Sequence, residues 1–372
     1  MIQSILSNLK NIPGWSSKVP LLVIESDDWG STRMPSKEAH DYLLERNIRV
    51  DKNRFTILDT LASEEDLDLL FEVLNEVAGS NGRPAVFTPF VNVTNADFEA
   101  IIRSEFREYH YERFDHTLMK YHGKSVFQKW KQGLENGIFI PQYHGREHFN
   151  VPYLMTQLQA GDEVLRTAFR QSVIHAPLAG LPRGLGGSLA PTYFYHSAAE
   201  LEQNLHSVRD GIEIFKDALG YQPLVFGPPN GIFDLALEKA LDDSGIRGIV
   251  VNRTRWEPDG AGGLKGRNFL WKFGAHNAHQ QVYYRRNVKF EPVQPQYSAA
   301  AVKTNIASAF RWCKPAILSS HRINYVGTLE VAHRDKALQE LRSILKWVVK
   351  TYPEVQFIGS GELVTQIRGK TS

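Results

Sequence analysis

The chain has 372 residues, room for one large domain or two ordinary ones at about 150 residues each. Lys and Arg number 43 against 41 Asp and Glu, a balance that excludes a protein living on nucleic-acid phosphate. Apolar residues are numerous enough to bury a core, and the one cysteine, Cys313, excludes an intrachain disulfide or a Cys-based zinc cluster and fits a reducing compartment.

In residues 1–20, Ile2, Ile5, Leu6 and Leu9 recur at helical spacing, not as the continuous apolar run of a signal peptide. This segment is expected to be an N-terminal docking helix ahead of a domain over 21–372. No stretch approaches the ~20 apolar residues that span a bilayer. A soluble, cytoplasmic protein with no transmembrane segment and no nucleic-acid partner is therefore expected, and a homo-oligomer is compatible with it.

From Leu21 onward, short apolar runs alternate with longer periodic ones. Strands are predicted at Leu21–Ser26, Ala85–Phe90, Phe139–Tyr143, Leu224–Phe226, Gly248–Val251, Ala316–Ser319 and Val355–Ile358. Ser63 with Asp66 opens a predicted helix over Glu64–Val77. Ser197 with Glu200 opens another that runs to Leu219 and stops at Gly220. Ile232–Ser244 and Lys336–Lys350 are further amphipathic stretches. This alternation predicts an α/β fold with parallel strands, and a single (β/α) barrel fits the length. Two glycine-rich segments, Gly180–Ser188 and Pro258–Gly266, are expected to be mobile loops over a site. Arg183-Gly-Leu-Gly-Gly-Ser188 lacks the ending and preceding strand of a phosphate cradle.

Four motifs fall at the ends of predicted strands, where barrel enzymes keep their chemistry. Glu25-Ser-Asp27-Asp28 follows the first strand. Its two acids can divide labour between a metal and a substrate, or can simply cap a turn. His144-Gly-Arg-Glu-His148 spaces two histidines four residues apart, so both can reach one metal, or both can be exposed loop residues. Asp28 supplies the third ligand that such a pair needs. Phe226-Gly-Pro-Pro-Asn-Gly231 is a rigid turn that can offer a backbone donor. Ser319-Ser-His321-Arg-Ile-Asn324 carries a histidine suited to general acid work, among polar neighbours that argue against a core position.

The order of these motifs resembles the polysaccharide deacetylase family (NodB-homology, carbohydrate esterase family 4), as a divergent branch. The similarity rests on Asp27-Asp28, His144…His148, Gly227-Pro-Pro-Asn-Gly231, the helix ending Leu219-Gly-Tyr-Gln-Pro223, Gly245-Ile-Arg-Gly-Ile-Val250, and Leu318-Ser-Ser-His321. It spans about Leu21 to Leu363, with insertions such as Tyr109–Phe139. The resemblance implies a distorted (β/α) barrel of about seven strands in a single domain with insertions. It implies a divalent metal, zinc first, on Asp28, His144 and His148, with Asp27 as base and His321 as acid. Gly227 stands where the family has an arginine that supports the base. Asn252-Arg-Thr-Arg-Trp256 stands where an acidic residue orients the acid histidine, and Arg255 there is expected to lower the pKa of His321 unless another carboxylate has taken over.

The implied activity is metal-dependent removal of an acyl group, N-acetyl first, from a carbohydrate substrate. Arg146, Glu147, Asn230, Trp256, Arg322 and Asn324 are the expected substrate contacts, Asn230 through its backbone N–H. Glu147 can equally be a salt-bridge partner of Arg146. Three rivals remain: hydrolysis of another C–N bond such as a cyclic amide, a glycosidase using Asp27 and Glu147, and a non-catalytic carbohydrate-binding barrel.

Overall fold

The computed structural model describes residues 8, 11–268, 272–292 and 294–369. Of the predicted docking helix Ile2–Leu9, all but Asn8 lies outside these residues. The strands in chain order are β1 (Leu21–Trp29), β2 (Phe87–Asn92), β3 (Thr94–Ala96), β4 (Tyr111–Arg113), β5 (Gln142–Gly145), β6 (Val225–Phe226) and β7 (Gly248–Val250). They continue with β8 (Thr254–Pro258), β9 (Leu264–Asn268), β10 (Ala275–His276), β11 (Val282–Tyr284), β12 (Val288–Lys289), β13 (Ala316–His321) and β14 (Gln356–Phe357).

Ten of these form one sheet in the order β10-β11-β7-β6-β5-β2-β1-β13-β12, with β14 added to β1. Every pairing is parallel except β10 with β11. All seven predicted strands are present. The three additional ones, β10, β11 and β12, are two or three residues long, too short for a periodic signal. They explain the distorted barrel. β11 pairs with β7 and β12 pairs with β13, yet only Arg285–Asn287 separate them in sequence. Three residues thus tie opposite ends of the sheet together, so the sheet must curl. Asn287 stitches this joint to β13, donating to the Pro315 carbonyl and accepting from Ile317 N, each at 2.9 Å.

β1 is central and buried throughout. Period-two alternation sends Leu22 and Ile24 to the layer shared with the helices, and Leu21 and Val23 to the interior beside Phe90, Val282, Tyr284 and Ile317. The outer layer includes the helices Glu64–Asn75, Ala198–Leu219, Ala299–Arg311 and Val331–Thr351. The first carries both halves of the Ser63/Asp66 capping box, and the second ends at Gly220 with φ 80°. In the second, Glu200 bonds the amide of His196 rather than that of the cap residue, Ser197. The insertion before β5 contributes the helix Lys124–Glu135, whose Trp130 packs edge-on to Trp29 and Phe139.

Several predicted boundaries move. The helix expected from Ile232 starts at Ala236, because Phe233 N bonds the Trp256 carbonyl and Asp234 Oδ1 accepts from Ala236 N. Pro258–Gly266 is the turn and flanks of the β8–β9 hairpin, and Gly184 N of the other glycine-rich segment bonds the Gly262 carbonyl at 3.2 Å. Among the described residues, no helix is long and apolar enough to cross a membrane.

Candidate active site

A cavity of about 800 Å³ opens at the C-terminal ends of the strands. Asp27, Asp28, His144, His148, Asn230 and His321 all line it. Alternation along β1 carries Glu25 and Asp27 inward with Leu21 and Val23. Asp28 should then face outward. It does not, because the β1–β2 register slips between Ser26 and Trp29 and Asp28 takes φ 73°. This bulge turns the second acid back to the same cavity, a left-handed conformation that Asp tolerates better than most side chains. Two adjacent carboxylates therefore serve one site.

The donor atoms of Asp28, His144 and His148 lie within 4.8 Å of one another, and all three residues are buried. His148 Nε2 is 2.9 Å and His144 Nε2 3.5 Å from Asp28 Oδ1. His144 Nδ1 donates to the Gly227 carbonyl at 2.5 Å, which leaves the lone pair on Nε2. That Nε2 is buried and makes no hydrogen bond. An orphaned imidazole nitrogen facing a carboxylate oxygen and a second imidazole fits a divalent cation with three protein ligands, and the N,N,O donor set suits zinc. Burial pushes the Asp28 carboxyl up, but His148 and His144 outweigh it and hold the group well below the carboxylate range. Burial lowers His148, favouring the neutral form that a ligand needs.

Asp27 stands in register with His321 across the β1–β13 pair, with His321 Nε2 4.0 Å from Asp27 Oδ2. Two groups that the sequence left unassigned hold this pair. Arg286, in the middle of the barrel-closing joint, grips Asp27 with both Nη atoms at 2.5 and 2.7 Å and Glu25 with Nε at 2.6 Å. Buried Glu25 also accepts from Tyr284 and Ser360 hydroxyls, each at 2.6 Å. Burial alone would raise the Asp27 carboxyl, and the Arg286 guanidinium outweighs it, so Asp27 stays ionised at neutral pH.

On the other side, Glu291 accepts the Nδ1 hydrogen of His321. Burial alone would lower this imidazole, yet Glu291 more than offsets it and His321 is pushed up to about 9. The expectation that Arg255 lowers His321 is overturned. Arg255 is buried elsewhere, paired with Glu238 and Glu257. Glu291 lies two residues past β12, and no spacing rule connects that loop to a histidine 30 residues later.

Several expected substrate contacts lie elsewhere. Arg322 is fully buried, with its guanidinium on Asp59 at 2.9 and 3.0 Å and on the Ser31 carbonyl at 2.6 Å. Asn324, also fully buried, donates to Glu291 at 2.9 Å and so positions the carboxylate behind His321. Trp256 is exposed on the β8–β9 hairpin against Gly266 and is not part of the cavity wall. Glu147 is buried, bonded by Arg146 at 2.7 Å and Tyr109 at 3.0 Å. Arg146 and Glu147 line a different cavity, so the geometry does not assemble a carboxylate pair from Asp27 and Glu147. Asn230 does line the central cavity, held at φ 56° in the turn after β6. Arg33 is a further neighbour, with Nη2 3.5 Å from both Asp28 Oδ2 and His148 Nδ1, and it joins the metal-site residues to Asp59. Burial keeps His175, whose ring lies 6.4 Å from that of His148, well below the ordinary imidazole value.

No family model and no curated protein matches the chain in sequence. Solved structures similar in shape include the 4-alpha-glucanotransferase of Thermococcus litoralis (TM-score 0.45, 9% identity, 93% of this chain), of which the chain spans only 40%. The PuuE allantoinase is similar at TM-score 0.44 and 12% identity, over 96% of this chain and 93% of the other. The peptidoglycan deacetylase PdaC of Bacillus subtilis is similar at TM-score 0.38 and 9% identity, over 95% and 94% of the two chains.

Proposed function

We propose that the protein is a metal-dependent hydrolase that removes an acyl group, N-acetyl first, from the amine of a sugar. One observation carries this reading: an Asp28–His144–His148 donor set shares a cavity with an in-register Asp27–His321 pair whose members are held ionised and protonated. Asp28, His144 and His148 would hold a divalent cation, which would supply Lewis-acid polarisation and lower the pKa of a water.

The remaining steps belong to the chain's own side chains. Asp27 takes the water proton. Arg286 occupies both of its oxygens, but each keeps a second lone pair. The grip fixes the carboxylate's aim and keeps it ionised, ready to accept a proton. His321 gives its Nε2 proton to the departing nitrogen, since an unprotonated amine leaves far less readily than the attacking oxygen. Glu291 holds the imidazole in the donating tautomer and keeps it protonated. The turn at Asn230 offers a backbone N–H toward the tetrahedral oxyanion.

The test is acetate release from a panel of N-acetylated sugars by the zinc-loaded protein, with His144→Ala as control. Release that depends on the metal supports the reading. Ring opening of cyclic amides with no acetate would replace it with hydrolysis of another C–N bond, and absence of any turnover would leave a binding protein.

A further inference from the structure

The chain is nearly neutral, but the wall of the active-site cavity is not. Its carboxylates, among the described residues, are Asp27 and Asp28, while Arg33, Arg54, Arg286 and Lys289 supply cations. Arg286 is spent on Asp27 and Glu25, and Arg33 faces Asp28. Arg54 and Lys289 have no carboxylate partner among the described residues. Each only overlies a ring, Arg54 at 4.9 Å from the Phe55 centroid and Lys289 at 4.6 Å from that of Tyr297. Arg54 Nε is buried with no hydrogen-bond partner, so that guanidinium edge is not engaged by another side chain.

Both cations stand at the His321 end of the cavity. The Phe55 ring beneath Arg54 packs edge-on against His321 at 5.4 Å. Lys289 lies opposite Ser319 on β13, two residues before His321, and itself precedes Glu291 by two. In the reading proposed above, on which this inference rests, His321 protonates the departing amine. The part of the substrate next to Arg54 and Lys289 is therefore the amine-bearing part rather than the acyl group.

We infer that this amine-bearing part carries a phosphate, held by Arg54 and Lys289. Two unpaired cations match the charge of a phosphate monoester, and a guanidinium with a spare edge is suited to binding its oxygens. The substrate class is an N-acylated sugar phosphate rather than a neutral polymer.

The test compares N-acetylglucosamine with its 1-phosphate and 6-phosphate by titration calorimetry. The full chain is used, zinc-free as well as zinc-loaded, so that phosphate coordination to the metal cannot mimic the effect. In the zinc-free protein one phosphate is expected to bind about tenfold or more tighter than the neutral sugar at about 0.1 M salt, with the advantage shrinking as salt rises. The Arg54→Gln/Lys289→Gln double variant is expected to reduce the advantage to about twofold or less while its zinc content and circular dichroism stay parental. Equal binding of charged and neutral sugars by the parent, or an advantage that survives in the double variant, overturns the inference. Acetate release, followed in parallel, separates the two readings. Acetate from neutral sugars without phosphate preference removes the inference alone. Phosphate-selective binding without acetate from any sugar supports the charge assignment and removes the deacetylation reading.

Discussion

Replacing Glu291 by Gln isolates the group that tunes His321. The buried carboxylate accepts the imidazole Nδ1 hydrogen, and the amide of Asn324 holds its other oxygen at 2.9 Å. Burial by itself lowers the imidazole, and Glu291 brings it instead from 6.5 up to about 9. At ~1.4 kcal/mol per pH unit this is about 3 kcal/mol of preference for the protonated ring. A raised folded-state pKa stabilises fully below the unfolded value and ceases to stabilise as pH climbs through the folded value. The zinc-free parent should therefore exceed its His321→Gln variant in urea stability by up to about 3 kcal/mol near pH 6, and the margin should vanish by about pH 10. A glutamine side chain can still accept the Nδ1 hydrogen, but it brings no charge, so the inflection falls from the parental value, with Asp28 and Asp27 still opposing burial. The assay is NMR titration of the His321 ring in zinc-free parent and Glu291→Gln proteins. The zinc-loaded enzyme adds a profile of kcat/KM, whose alkaline limb should move toward acid in the variant. Two proteins titrating within about half a pH unit of each other would refute the reasoning, as would a parental inflection near the reference imidazole value.

His144→Ala should lose most bound zinc, because three ligands are few enough that each matters; elemental analysis matching the parent would remove the site. Asp27→Asn should keep about one zinc per chain while kcat falls about 10²–10⁴-fold, and equal zinc loss in Asp27→Asn and Asp28→Asn would show that the two acids are not specialised. Arg322→Ala leaves Asp59 buried without its bidentate partner and should cost about 3–5 kcal/mol in urea denaturation. A loss under about 1 kcal/mol would show that the Arg322–Asp59 pair does not act as a buried ion pair.

The strands, the Ser63 capping box and the placing of four motifs at strand ends were legible in the sequence, because each depends on residues close together in the chain. A short apolar run announces a buried strand, and a cap and its partner sit three residues apart. The Asp28, His144 and His148 set was legible through motif resemblance, although its assembly depends on a bulge at Asp28 that no local pattern announces. The roles of Arg322 and Asn324 were not legible, since a polar residue beside a site histidine reads the same whether it faces the ligand or supports the wall. Nor could the sequence reveal the tuning of the site. Arg286 reaches Asp27 across 259 residues, and Glu291 reaches His321 from a loop after a two-residue strand. Arg286 lies in the short segment that ties β11 to β12 and Glu291 just beyond β12, and both meet the site only when the sheet curls. The charges that hold Asp27 ionised and His321 protonated are thus set by the curl of the sheet, which brings together residues far apart in the chain.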